Sequence, residues 1–115
     1  MNRDFIDICR YIKRTGIKEC KIIKHPNIMN SVTFTPDEDI TIMSVPCGNE
    51  FFSIRVPNKI GNLESTALLF DKGAYCSNAS ILIFKHQLEP IINKNNKIFI
   101  FISKDKDLEI QVELV

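Results

Sequence analysis

The chain has 115 residues, 25% of them charged and 44% hydrophobic, with a formal net charge of +1. That length suits one domain able to bury a core without disulfide or metal staples. The near-neutral balance excludes a protein that coats nucleic acid over its whole surface, but not one with a single basic face. No apolar run approaches the roughly 20 residues that span a bilayer. Met1-Asn2-Arg3-Asp4 carries an acid and runs into an amphipathic segment, so no secretion leader is read and an intracellular protein is expected. Cys9, Cys20, Cys47 and Cys76 have no paired spacing and are expected as reduced thiols. Heavy use of Ile, Lys and Asn is the composition of an AT-rich genome, such as that of a virus or phage.

In chain order, residues 4–14 read as a helix, with Phe5, Ile8, Cys9 and Ile12 at helical spacing as its core stripe. At about 100° per residue, Arg3, Arg10 and Arg14 fall in a narrow arc opposite that stripe, with Asp7 beside them. Arg55 is the only other arginine in the chain. Thr15-Gly16 ends the helix, Gly16 serving as a left-handed cap. Strands follow at 19–24, 32–35, 40–45 and 51–56, separated by turns at His25-Pro26-Asn27, Pro36 to Asp39 and Pro46 to Glu50. Pro57 to Thr66 is the least structured stretch, with a turn at Gly61-Asn62. A short strand is read at Ala67 to Phe70 and a turn at Asp71-Lys72-Gly73, after which Ala74-Tyr75-Cys76 leads into the last unit.

That last unit begins with Ser80 to Phe84, an apolar run read as a strand buried on both faces. A second helix is expected from His86 to about Asn93, since Leu88, Ile91 and Ile92 fall on one side and Pro90 is tolerable in a first turn. Asn93-Lys94-Asn95-Asn96 then breaks it. Ile98 to Ile102 is β-branched and aromatic throughout, the strongest strand signal in the chain, with Ile100 and Phe101 expected buried. Ser103 to Asp107 makes a hairpin turn. Leu108, Ile110, Val112 and Leu114 alternate with Glu109, Gln111 and Glu113, the pattern of a strand wet on one face.

The expected architecture is α+β: two short helices on one face of a single antiparallel sheet. Residues 1–115 form one domain, with a helix and strand meander over 1–66 and a strand–helix–strand–strand unit over 67–115. If the strand from Asp107 to Val115 lies at the sheet edge, its backbone groups and the residues Leu108, Ile110, Val112 and Leu114 would receive a strand from a partner.

Catalytic constellations are hard to find. Cys20 and His25 have no second pair at ligand spacing, and a structural zinc wants four ligands. Cys76 and His86 lie across a buried strand with no third group to orient the base. Asp37-Glu38-Asp39 and Asp105-Lys106-Asp107 sit in turns, where aspartate caps backbone. The four glycines are isolated, so no phosphate loop is present. No enzyme, cofactor, metal or small-molecule substrate is expected. Phe51, Phe52, Phe99 and Phe101 lack the basic neighbours of a base-stacking sheet and read as core. Two readings of the arginine face stand side by side: a solvated helix surface, or a strip that tracks phosphates. In the second, Arg3, Arg10 and Arg14 join Lys85, His86 and Lys94 from the second helix without reading bases.

The order of these segments resembles one domain of a DNA sliding clamp of the proliferating cell nuclear antigen type. Asp39-Ile40-Thr41-Ile42-Met43-Ser44-Val45 and Glu50-Phe51-Phe52-Ser53-Ile54-Arg55-Val56 are similar to its long kinked strand pair. Phe70-Asp71 with Tyr75-Cys76 follows as in the family, and Ile81 to Val115 resembles its strand, short helix and closing hairpin. The segment Asp4 to Arg14 stands where the first channel-lining helix would be. The resemblance spans nearly the whole chain as a pattern of elements, without a diagnostic motif. It implies basic helix residues facing DNA phosphates, here Arg3, Arg10, Arg14 and Lys94. A clamp chain carries two or three such domains, so a single one implies assembly with further copies or a partner chain. The expected function is therefore a non-catalytic clamp-like module in DNA replication or transcription. The alternative is a small viral or phage adaptor or inhibitor that binds a host protein without touching DNA.

Overall fold

The computed structural model describes residues 5–25, 30–36, 40–43, 50–55, 59–60, 63–64, 74–77 and 80–115. Phe5–Thr15 forms α1, whose Phe5, Ile8, Cys9 and Ile12 are buried as their spacing predicts. Asp7, Arg10, Lys13 and Arg14 face outward. Gly16 stops the helix at φ 97°, a conformation that costs glycine little and other residues more. Its N–H donates to the Ile12 carbonyl at 2.9 Å, closing the last turn.

The strands are β1 (Ile17–Lys24), β2 (Val32–Phe34), β3 (Ile40–Met43), β4 (Phe51–Arg55), β5 (Lys59–Ile60), β6 (Leu63–Glu64), β7 (Ala74–Ser77), β8 (Ser80–Phe84), β9 (Ile92–Lys94), β10 (Ile98–Ile102) and β11 (Glu109–Leu114). All pairings among the described residues are antiparallel. They make a five-stranded sheet in the order β2-β1-β11-β10-β9, a four-stranded sheet in the order β3-β4-β8-β7, and a small β5-β6 ribbon. That ribbon lies in the stretch expected to be least structured. The strand expected at Ala67 to Phe70 and the turn at Gly61-Asn62 lie outside the described residues.

Strand alternation explains how the sheets meet. On β10 and β11, Phe99 is opposite Val112 and Phe101 is opposite Ile110, with β1 contributing Cys20 and Ile22 in register. These side chains share one core with Phe52 and Ile54 of β4, Ile81 and Ile83 of β8, and the buried stripe of α1. Phe52 stacks on Phe101 at a centroid distance of 6.4 Å and an angle of 14°, joining the two sheets at their centres. Side chains of this kind contribute roughly 1.5–3 kcal/mol each on full burial. Phe52, Phe99 and Phe101 therefore serve packing, as the sequence implies, whereas Phe51 leaves β4 on the other side, half-buried against Phe84 at 5.5 Å.

Three expectations are corrected. The described residues hold one α-helix, not two, and two principal sheets rather than a single layer. In place of the second helix, Lys85–Gln87 makes one 3-10 turn, Leu88 bridges to Ser103, and the chain continues as β9. The Glu89 N–H donates to the Ile102 carbonyl at 2.8 Å, a sheet partner that replaces a helical one. Asn95 and Asn96 take φ 56° and 57°, the paired left-handed geometry of a tight hairpin. The dipeptide that looks like a helix breaker is thus a strand-reversal signal. Lastly, β11 is the middle strand of its sheet, hydrogen-bonded to β1 on one side and β10 on the other. Leu108, Ile110, Val112 and Leu114 point into the core, and this strand is no free edge.

Candidate nucleic-acid interface

Arg10 and Arg14 are both exposed on the outer side of α1, and Lys13 shares that side. Arg3 lies outside the described residues. Lys13 and Arg14 sit in the last turn of the helix, where cations complement the negative end of the helix dipole. The Arg14 guanidinium carbon is 5.6 Å from the centroid of the Tyr11 ring, within cation–π range.

Tyr11 connects this face to a second element. Its ring tilts against Phe99 of β10 at 6.0 Å, and its hydroxyl donates to the Asn96 carbonyl at 3.2 Å. Asn96 belongs to the turn Lys94-Asn95-Asn96-Lys97, in which the Lys97 N–H donates to the Lys94 carbonyl at 3.0 Å. Two further bonds brace the turn: Asn93 Nδ2 donates to Asn96 Oδ1 at 2.9 Å, and the Asn96 N–H donates to Asn93 Oδ1 at 2.8 Å. Lys94 and Lys97 are exposed on either side of it. One end of the five-stranded sheet therefore brings the hairpin turn up to the helix that carries Arg10, Lys13 and Arg14, with Lys97 on the α1 side of the sheet and Lys94, opposite Ile98, on the other. Nearby Lys18 is engaged by Glu113 at 3.7 Å, a surface pair of little energetic weight.

The wider strip expected from the sequence is not assembled. Lys85 and His86 lie by the opposite end of β10, where the Lys104 N–H donates to the Gln87 carbonyl at 3.0 Å. At roughly 3.3 Å per residue, the length of β10 separates them from Lys97. Lys85 pairs with Glu50 at 3.8 Å, and His86 sits edge-on to Phe84 at 5.7 Å. Lys94 lies on a hairpin rather than a second helix, and its register opposite Ile98 turns it to the side of the sheet away from α1. Lys13, Lys97 and Tyr11 were not singled out from the sequence. The Asn-Asn pair between two lysines was the signal for Lys97, and helical phase was the signal for Lys13.

The two cysteines whose side chains are described, Cys9 and Cys20, are sealed. Burial, and secondarily the charge of Glu19, pushes the Cys20 thiol far above its usual range. Cys9 is equally sealed, and reactive cysteines need an accessible thiolate. His25 is held down at about 4 by burial. Among the described residues no three His, Cys, Asp or Glu side chains gather as a metal site. No described helix is long and apolar enough to cross a membrane. Comparison of the chain with protein-family models, curated proteins and solved structures finds no match.

Proposed function

We propose that this chain is a non-catalytic, clamp-like module that supports DNA replication or transcription by assembling with other protein chains and holding duplex DNA through its phosphates. The observation that carries the reading is the exposed set Arg10, Lys13, Arg14 and Lys97, drawn from two elements that meet at Tyr11 and Asn96. Long cationic side chains on such a face track a backbone of any sequence, while base edges go unread. Assembly falls to β9, an edge of the five-stranded sheet, in place of the inner strand β11.

A titration of labelled duplex at two salt concentrations tests this reading. With about four phosphates contacted, affinity should fall roughly a hundredfold between ~50 and ~200 mM salt. Arg10→Glu with Arg14→Glu should abolish binding and leave the melting temperature nearly unchanged. Wild-type protein indifferent to DNA at low salt would refute the DNA contact.

A second reading has its own observation. On the outer side of the five-stranded sheet, Ile92 is 42% exposed. Ile98 and Ile102 lie partly covered on the same side. An adaptor that binds a host protein would use this apolar surface and ignore DNA. A mass measurement in solution alongside the titration separates the two, since the clamp reading requires self-association or a stable partner chain.

A further inference from the structure

The geometry points to Tyr11 as a positioning residue that fixes the β9–β10 hairpin against α1, so that Lys97, which leaves the sheet on the α1 side, completes one phosphate-binding face with Arg10, Lys13 and Arg14. The inference rests on the DNA contact proposed above and says how that contact is organised. A hairpin tip bearing two exposed lysines would ordinarily be ordered only on binding, at a cost in conformational entropy. Here the tip is anchored beforehand from two sides. The Tyr11 hydroxyl donates to the Asn96 carbonyl at 3.2 Å, and the Lys97 carbonyl accepts from the Leu114 N–H at 2.8 Å. The first anchor comes from the helix that carries the arginines, the second from the central strand. The same Tyr11 ring lies under the Arg14 guanidinium at 5.6 Å and against Phe99 at 6.0 Å, so one side chain orients a cation on each element.

Because the ring and the hydroxyl do different things, they can be separated. Tyr11→Phe keeps the ring that meets Phe99 and Arg14 and removes the hydroxyl tie to Asn96. That bond is exposed, so its loss leaves the fold intact. Lys97 then reaches the same phosphate, but must be ordered when it does.

The experiment is anisotropy with a labelled duplex of arbitrary sequence, across a salt series, on wild type, Tyr11→Phe, Lys97→Ala and the combined double variant. Loss of Lys97 should flatten the salt slope by about one. Tyr11→Phe should weaken binding about three- to tenfold with the slope unchanged, and should do nothing further once the lysine is gone. An equal loss from Tyr11→Phe in both backgrounds, or no loss in either, would overturn the positioning role. If the lysine variant binds as wild type while Arg10→Glu/Arg14→Glu does not, the hairpin is no part of the site and the helix contact stands alone. Wild-type protein that does not bind duplex removes the reading on which the inference rests, and the inference with it.

Discussion

Phe99 and Phe101 leave β10 on one side and are fully sealed, while Ile98, Ile100 and Ile102 leave it on the other and are covered unevenly. The inner pair meets Phe52 across the gap between the sheets and Tyr11 of the helix. The outer set meets Glu113, Gln111 and Glu109 across β11 and Ile92 across β9. Ile100 is 7% exposed but stands apart from the main core cluster. Residues of one chemical kind on one strand thus have two roles, decided by elements far away in the chain. Apolar composition identifies the strand, and distant packing decides which half of it is core.

Removing Phe101 should show the largest effect. Phe101→Ala is expected to cost about 3–5 kcal/mol, since the site is closed by both sheets and collapses poorly. Ile100→Ala should cost less than half of that in the same urea denaturation series. Equal losses would mean that the outer side is as well covered as the inner.

Acid should weaken the fold through the buried His25 at the end of β1. Burial holds this imidazole at about 4, below its ordinary value of 6.5, so the unfolded chain takes up the proton first as pH falls. Stability is then complete above about 6.5, declines between 6.5 and 4, and levels off below, for a total on the order of 3 kcal/mol. Thermal melts should show that His25→Gln lacks this part of the acid loss. A wild-type curve that is flat in that window, relative to the variant, would remove the assignment.

The smallest effect on stability belongs to Ile92. Its exposure of 42% leaves little to lose, so Ile92→Ser should change folding free energy by no more than about 0.5 kcal/mol. If the outer side is a docking surface, the same substitution should reduce association measured by light scattering. Unaltered association would assign assembly to another surface.

Much of this was legible in local pattern. The 3.6-residue spacing of Phe5, Ile8, Cys9 and Ile12 gave the helix and its buried side. The alternation from Leu108 to Leu114 gave a strand with its inner residues correctly chosen. What was not legible is non-local. Leu88, Ile91 and Ile92 mimic helical spacing, but the Ile102 carbonyl and Ser103 claim that segment for the sheet. Nor does any residue of β11 announce that β1 will pair with it, which is why its central position was missed. The division into two sheets follows from β4 pairing with β8, again across a long separation. The outward phase of Arg10 and Arg14 was visible in the helical period alone, whereas the approach of Lys97 to the helix depended on recognising Asn95-Asn96 as a turn.

The β1–β11 ladder, from Ile17 with Leu114 to Lys24 with Glu109, joins stretches at nearly opposite ends of the sequence. During synthesis, then, β1 waits with only β2 beside it until residues 109–114 have cleared the ribosome. Completing the large sheet thus requires a closure across most of the chain, and the entropy of that closure slows folding. Until that moment Cys20 and Ile22 lack their cover, and chaperones have their longest opportunity to engage the nascent polypeptide.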